Sequence, residues 1–190
     1  MVACFITILC LVLTNNISGF DNAIYKFITI YRNDTVTNLY KFITFFGSTA
    51  FIVTLCLLFL LVFWKQKKGF VISACLIGST LINNIIKLLV RRERPLDLIM
   101  VEESTFSFPS GHTMASVSMY GLLIYLVWKS NLSKKIKVIL NLLLGLLIIF
   151  IAASRIYLGA HFASDIVGAV LVSSIWLIIF ISFIEKKKFI

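Results

Sequence analysis

Long apolar runs alternate with short polar clusters along the chain, and the runs set its architecture. Six segments, residues 2–20, 42–64, 70–90, 109–128, 136–153 and 162–184, are dominated by Leu, Ile, Val and Phe. Most reach the roughly 20 residues that a helix needs to cross about 30 Å of hydrocarbon. The pattern predicts an all-α fold, a bundle of six transmembrane helices. The first run is the weakest, because its dense apolar part ends near Leu13. No Lys or Arg precedes it, as the n-region of a signal peptide requires, so it reads as a retained helix. Between the first two spans, Phe20, Ile24, Phe27, Ile28 and Tyr31 recur at helical spacing within residues 20–33. An aromatic-rich amphipathic helix of this kind lies in the membrane interface. No internal repeat or low-complexity linker divides the chain, which predicts a single domain over residues 1–190.

Composition agrees with a membrane protein. Of the 190 residues 60% are hydrophobic and 14% are charged, where a soluble domain carries about a quarter charged residues. Cys4, Cys10, Cys56 and Cys75 all fall within apolar runs, with no metal-ligand spacing, and predict neither a disulfide framework nor a zinc site. Charge then orients the bundle. Segments 65–69, 129–137 and 185–190 hold ten lysines and one acid, Glu185, whereas the rest holds eight cations and seven acids. The positive-inside rule makes the lysine-rich side cytoplasmic. Both termini are then inside, as six spans require, in a multi-pass protein of the cell membrane. The net charge of +10 serves topology and anionic lipid rather than nucleic acid. No obligatory protein partner is implied.

The opposite side gathers the chemistry, in three stretches. In "KLLVRRERP", Lys87 ends the third span and Arg94 follows seven residues later, sharing its face if the helix continued. Pro95 disfavours that continuation, and Arg91 and Arg92 read as cations snorkelling at a membrane edge. In "FPSGHTMAS", Pro109 suits a first helical turn, Ser110 supplies a hydroxyl, and Gly111 leaves the backbone open to a ligand. Unpaired N–H groups and the helix dipole favour phosphate there, beside His112. In "SRIYLGAHFASD", His161 and Asp165 are four apart, so on a helix the carboxylate reaches the ring. It would fix the tautomer and leave the other nitrogen free and more basic. Arg155 lies six residues before His161 and would face elsewhere on an unbroken helix, but Gly159 offers a break. Cations and helix N–H groups around a tetrahedral dianion stabilise phosphoryl transfer, and two histidines can act as nucleophile and general acid.

The ordered pattern K-x6-RP, PSGH and SR-x5-H-x3-D, at residues 87–165, resembles the type 2 phosphatidic acid phosphatase superfamily at every position. The resemblance implies a phosphatase that needs no metal or other cofactor. His161 would be the nucleophile forming a phosphohistidine, Asp165 its orienting partner, and His112 the acid that protonates the leaving oxygen. Lys87, Arg94, Ser110, Gly111, Ser154 and Arg155 would hold the phosphate oxygens. Small size and lysine-rich inner loops resemble the bacterial members, which act on phosphatidylglycerol phosphate, phosphatidic acid or undecaprenyl diphosphate. The motifs grip phosphate and do not choose among these lipids. An outward site favours undecaprenyl diphosphate slightly, since that lipid is left on the outer leaflet. The competing class is an anion-binding or transport protein without hydrolysis, which would show broken midplane helices and internal repeats.

Overall fold

The computed structural model describes residues 1–64, 67–95, 100–101 and 103–187. Among the described residues all regular elements are α-helices: α1 (Val2–Leu13), α2 (Ser18–Ile28), α3 (Asp34–Phe45), α4 (Thr49–Val62), α5 (Lys67–Val90), α6 (Gly111–Lys129), α7 (Lys134–Tyr157) and α8 (Ala163–Lys186). The expected inner turn at 65–69 and the tail at 185–190 fall partly outside the described residues.

Among the described residues four stretches are long and apolar enough to cross a membrane: Asp34–Val62, Gly69–Val90, Lys134–Tyr157 and Ala163–Lys186. A fifth is reached if α1 and α2, bent by 98°, count as one span. The run expected at 2–20 is therefore divided. Its helix stops at Leu13, about 18 Å after it starts at 1.5 Å per residue, and α2 then turns away. The second span begins earlier than the apolar run suggests. Asn33 caps α3 by accepting from Val36 N at 2.9 Å, and Ser48 restarts the chain as the cap of α4. The pause between them brings Gly47 against α7, where an added Cβ would stand 2.6 Å from Ile151 Cγ2.

Helix α6 is the least lipid-like of the long helices, and its position explains why. It packs against α4, α5, α7 and α8 and buries Met114, Met119, Tyr120 and Leu122. It also carries buried polar residues, of which Ser118 donates to Ser79 on α5 at 2.8 Å. Around it Ile72, Cys75, Ile151, Phe180 and Ile184 close the main core. Outward-facing Leu57, Leu61, Leu89, Leu142 and Ile149 stay exposed on the bundle, as lipid contact requires. Alternating helix directions collect the end of α5, the start of α6, the end of α7 and the start of α8 at one end of the bundle. Lys129, Lys134 and Lys186 lie at the opposite ends of those helices.

Candidate active site

Helix α5 ends at Val90, before Arg94. Arg91 adopts φ 50°, and its Nε donates to Leu88 O at 3.0 Å, closing the helix end. Lys87 and Arg94 therefore meet across the α5–α6 loop instead of along one helix face. Lys87 Nζ donates to Thr105 Oγ1 at 3.2 Å and to Phe106 O. Arg94 Nε donates to Thr105 O at 2.6 Å, and its Nη2 to Thr105 Oγ1 at 3.2 Å. One loop segment thus fixes both cations.

Ser110 is the N-cap of α6, so Pro109 stands just before the helix, outside its first turn. The Ser110 hydroxyl accepts from Thr113 N and Thr113 Oγ1, and Asn83 on α5 donates to Pro109 O at 3.1 Å. Gly111 opens the helix. A Cβ there would meet only Asn83 Oδ1, at 3.5 Å, so the neighbouring protein leaves room for a side chain that the chain does not supply. His112 follows, and its side chain makes no hydrogen bond among the described residues.

Helix α7 carries Arg155 inward, 1% exposed. Its Nη1 donates to Thr44 Oγ1 at 2.9 Å and its Nη2 to Glu103, while Nε is buried with no partner among the described residues. Ser154 is fully buried and donates to Ile151 O at 2.6 Å, turned back along its own helix. Gly159 takes φ 68°, and the amides of Ala160 and His161 return to Arg155 O at 3.0 and 3.2 Å. That reversal carries His161 back toward Arg155.

His161 lies between Asp165 and Arg94. Its Nδ1 is 3.4 Å from Asp165 Oδ2, and its Nε2 is 3.2 Å from Arg94 Nη1. With the carboxylate holding the proton on Nδ1, Nε2 presents its lone pair to the guanidinium. Burial pushes His161 down to about 4, and the Asp165 hydrogen bond opposes that shift without cancelling it. The ring is neutral at neutral pH. Asp165 Oδ2 also accepts from Ser107 Oγ and from Phe162 N.

A cavity of about 630 Å³ is lined by Lys87, Arg94, Gly111, His112 and His161. It continues between α4 and α5 past Val53, Leu57, Ile77 and Leu81, which are also exposed on the outside of the bundle. The cavity thus has a polar head and an apolar side opening. The structure brings Lys87, Arg94, Arg155, His112, His161 and Asp165 to one end of the bundle, with Gly111 at the cavity wall and Ser110 buried behind it as the cap of α6. Ser154 stays apart, its hydroxyl spent within α7. Sequence reasoning missed Glu103, whose carboxylate bridges Arg155 and Arg94, the latter at 3.3 Å. It also missed Ser107, Asp21 and the part played by Arg92. Nothing in their local spacing marked them, because each finds its partner on a distant segment.

The family model of the PAP2 superfamily matches residues 68–189. Phosphatidylglycerophosphatase B of Bacillus subtilis (strain 168) is 29% identical over 180 residues, covering 92% of this chain and 88% of that protein. A crystal structure described as the first transmembrane PAP2 type phosphatidylglycerolphosphate phosphatase from Bacillus subtilis matches with a TM-score of 0.88 at 26% identity. That match covers 97% of this chain and 94% of the other. The crystal structure of Aquifex aeolicus LpxE shares the fold, with a TM-score of 0.66 at 23% identity over 83% of this chain and 92% of that one.

Proposed function

Because the chain belongs to the PAP2 superfamily and is a membrane lipid phosphatase, we propose that it removes the terminal phosphate of phosphatidylglycerol phosphate through a phosphohistidine on His161. One observation carries the mechanism. His161 turns Nδ1 to Asp165 and Nε2 to Arg94, in a cavity that His112 and Lys87 also line.

In this reading Nε2 of His161 attacks phosphorus and the bond from phosphorus to the leaving alcohol oxygen breaks. His112 gives that oxygen its proton. Water then attacks the phosphohistidine, the P–N bond breaks, His112 takes the proton of the water, and inorganic phosphate leaves. Lys87, Arg94, Arg155 and the amides that open α6 take the charge of the equatorial oxygens. The unpaired Arg155 Nε supports a missing anionic partner, and the side-chain gap at Gly111 supports its close approach. The Bacillus subtilis relatives, both described as acting on phosphatidylglycerol phosphate, support this choice of substrate. The sideways opening between α4 and α5 suits a lipid whose tails stay in the bilayer.

The proposed topology has six crossings, with α1 as a short first span, α2 in the interface, and α3 with α4 as the second. Both termini face the cytoplasm and the cationic cup faces outward. The supporting pattern is the separation of lysine-rich loops from the arginine–histidine end.

Purified enzyme, assayed with EDTA present, should release phosphate from phosphatidylglycerol phosphate in preference to phosphatidic acid and undecaprenyl diphosphate. Rapid quenching should trap labelled protein whose phosphate is stable to alkali and labile to acid. His161→Ala should lose the label and about 10³-fold or more of kcat. Label retained in that variant, or a divalent-metal requirement, overturns the mechanism.

A further inference from the structure

We propose that Arg92 and Asp21 are positioning residues that set the charge on the Asp165–His161 pair, an inference that rests on His161 being the nucleophile. Asp165 is fully buried, and its Oδ2 already serves His161, Ser107 and the Phe162 amide. Its other oxygen, Oδ1, accepts from Arg92 Nη1 at 2.6 Å. A guanidinium held by this carboxylate alone would cancel the charge that orients and activates the ring.

Arg92 is not held by it alone. Its Nη2 donates to Asp21 Oδ2 at 2.8 Å. Asp21, on α2 and 3% exposed, is fixed in turn by Ser164 N and Ser164 Oγ, each at 2.8 Å. Ser164 Oγ also accepts from Arg92 Nη1 at 2.7 Å. The ring of Phe162 lies 4.1 Å from the guanidinium carbon and holds its plane. One arginine is therefore shared by two carboxylates, and the trio keeps a single net negative charge next to His161. The geometry needs a fork: the two arms of a guanidinium reach both acids, which a point-like ammonium does not. The trio draws on α2, the α5–α6 loop and α8, so it also fastens the amphipathic α2 to the site.

Charge sharing makes predictions of opposite sign, which a purely structural role does not. Asp21→Asn takes the trio to neutral, so the His161 ring should titrate about one pH unit lower. Arg92→Gln takes it to two negative charges, and the ring should titrate about one pH unit higher. The double variant restores one negative charge and should return the midpoint to the wild-type value. Arg94, Glu103, Arg155, Lys87 and His112 also face the ring or its cavity, and all stay in place. The chain has two histidines, so the His161 midpoint can be read by NMR of histidine-labelled full-length protein in micelles, with His112→Gln giving the assignment.

Arg92→Lys guards against loss of folding in the other variants. It keeps the charge, so its midpoint should hold while kcat falls several-fold. Midpoints that move in the same direction in both single variants, or that stay still in both, overturn the inference. So does an unchanged kcat in Arg92→Lys. Failure of the nucleophile assignment would show separately, as phosphohistidine label surviving in His161→Ala.

Discussion

Two arginine–carboxylate systems meet at His161, and they differ in what surrounds them. On the α8 side Arg92 is shared by Asp21 and Asp165, and both acids are sealed from solvent. On the cavity side Arg94 and Arg155 share the single carboxylate of Glu103, which is 18% exposed and sits on the α5–α6 loop. The first has one cation for two acids and the second two cations for one acid. The α8 side thus supplies permanent negative charge to the back of the ring, whereas the cavity side holds surplus positive charge in front of it. Arg94 and Glu103 line the cavity, whereas Asp21, Arg92 and Asp165 do not, so under the proposed function a dianionic phosphate meets the front pair.

The largest expected effects come from removing one member of each system. Asp165→Asn should keep the geometry and reverse the tautomer preference of His161, lowering kcat on the order of 10³–10⁴-fold. Arg155→Ala removes a donor from the front and should lower kcat about 10²–10³-fold. The two should also differ in inhibition by orthovanadate. Vanadate affinity should fall sharply in Arg155→Ala and much less in Asp165→Asn. Equal losses of vanadate affinity would remove the distinction between back and front.

A smaller signature is the titration of His161 itself. Burial holds its midpoint near 4, against an ordinary value of about 6.5. In the proposed mechanism the ring attacks in its neutral form, so that form persists as pH falls through the ordinary histidine range. It is lost only as pH approaches 4. NMR of the labelled wild-type protein should show the His161 ring unchanged between pH 8 and 5. A midpoint near 6.5 would mean that water reaches the back of the ring.

How much of this was legible in the sequence depended on the distance between partners. The His161–Asp165 contact is local, so a spacing of four was enough to bring the pair to notice, although His161 stands before Phe162, the N-cap of α8, and not on the helix itself. The return of Arg155 was legible through Gly159, whose positive φ makes the reversal. The sequence put Lys87 and Arg94 on one face only if the helix continued, which Pro95 disfavours; the chain brings them together through Thr105 and Phe106 after α5 has ended. Arg92 looked like a snorkelling cation because its partner Asp21 is 71 residues away. Glu103 drew no notice because an acid in a loop carries no spacing signal. The same limit explains the first span. Hydropathy reported apolar content over residues 2–20, but the turn after Leu13 is set by packing of Val12 and Ile17 against Phe108.

Glu103 gives the smallest effect and the finest test of the contrast. Its carboxylate takes donors from Arg94 and Arg155, which in the proposed mechanism hold the substrate phosphate, so on that reading it gives way when phosphate binds. Glu103→Gln removes its charge with little change of volume and leaves Arg94 and Arg155 free of a competing anion. KM should fall about two- to fivefold, with kcat within about threefold of wild type, since the competing contact exists only in the empty site. Inorganic phosphate should inhibit the variant more strongly by a similar factor. The corresponding change at the back, Asp21→Asn, should alter kcat and leave phosphate inhibition nearly unchanged, because Asp21 touches Arg92 and Ser164 and does not line the cavity. If Glu103→Gln instead weakens phosphate inhibition, its carboxylate braces the two arginines rather than standing in for substrate. The front would then be as permanent a structure as the back.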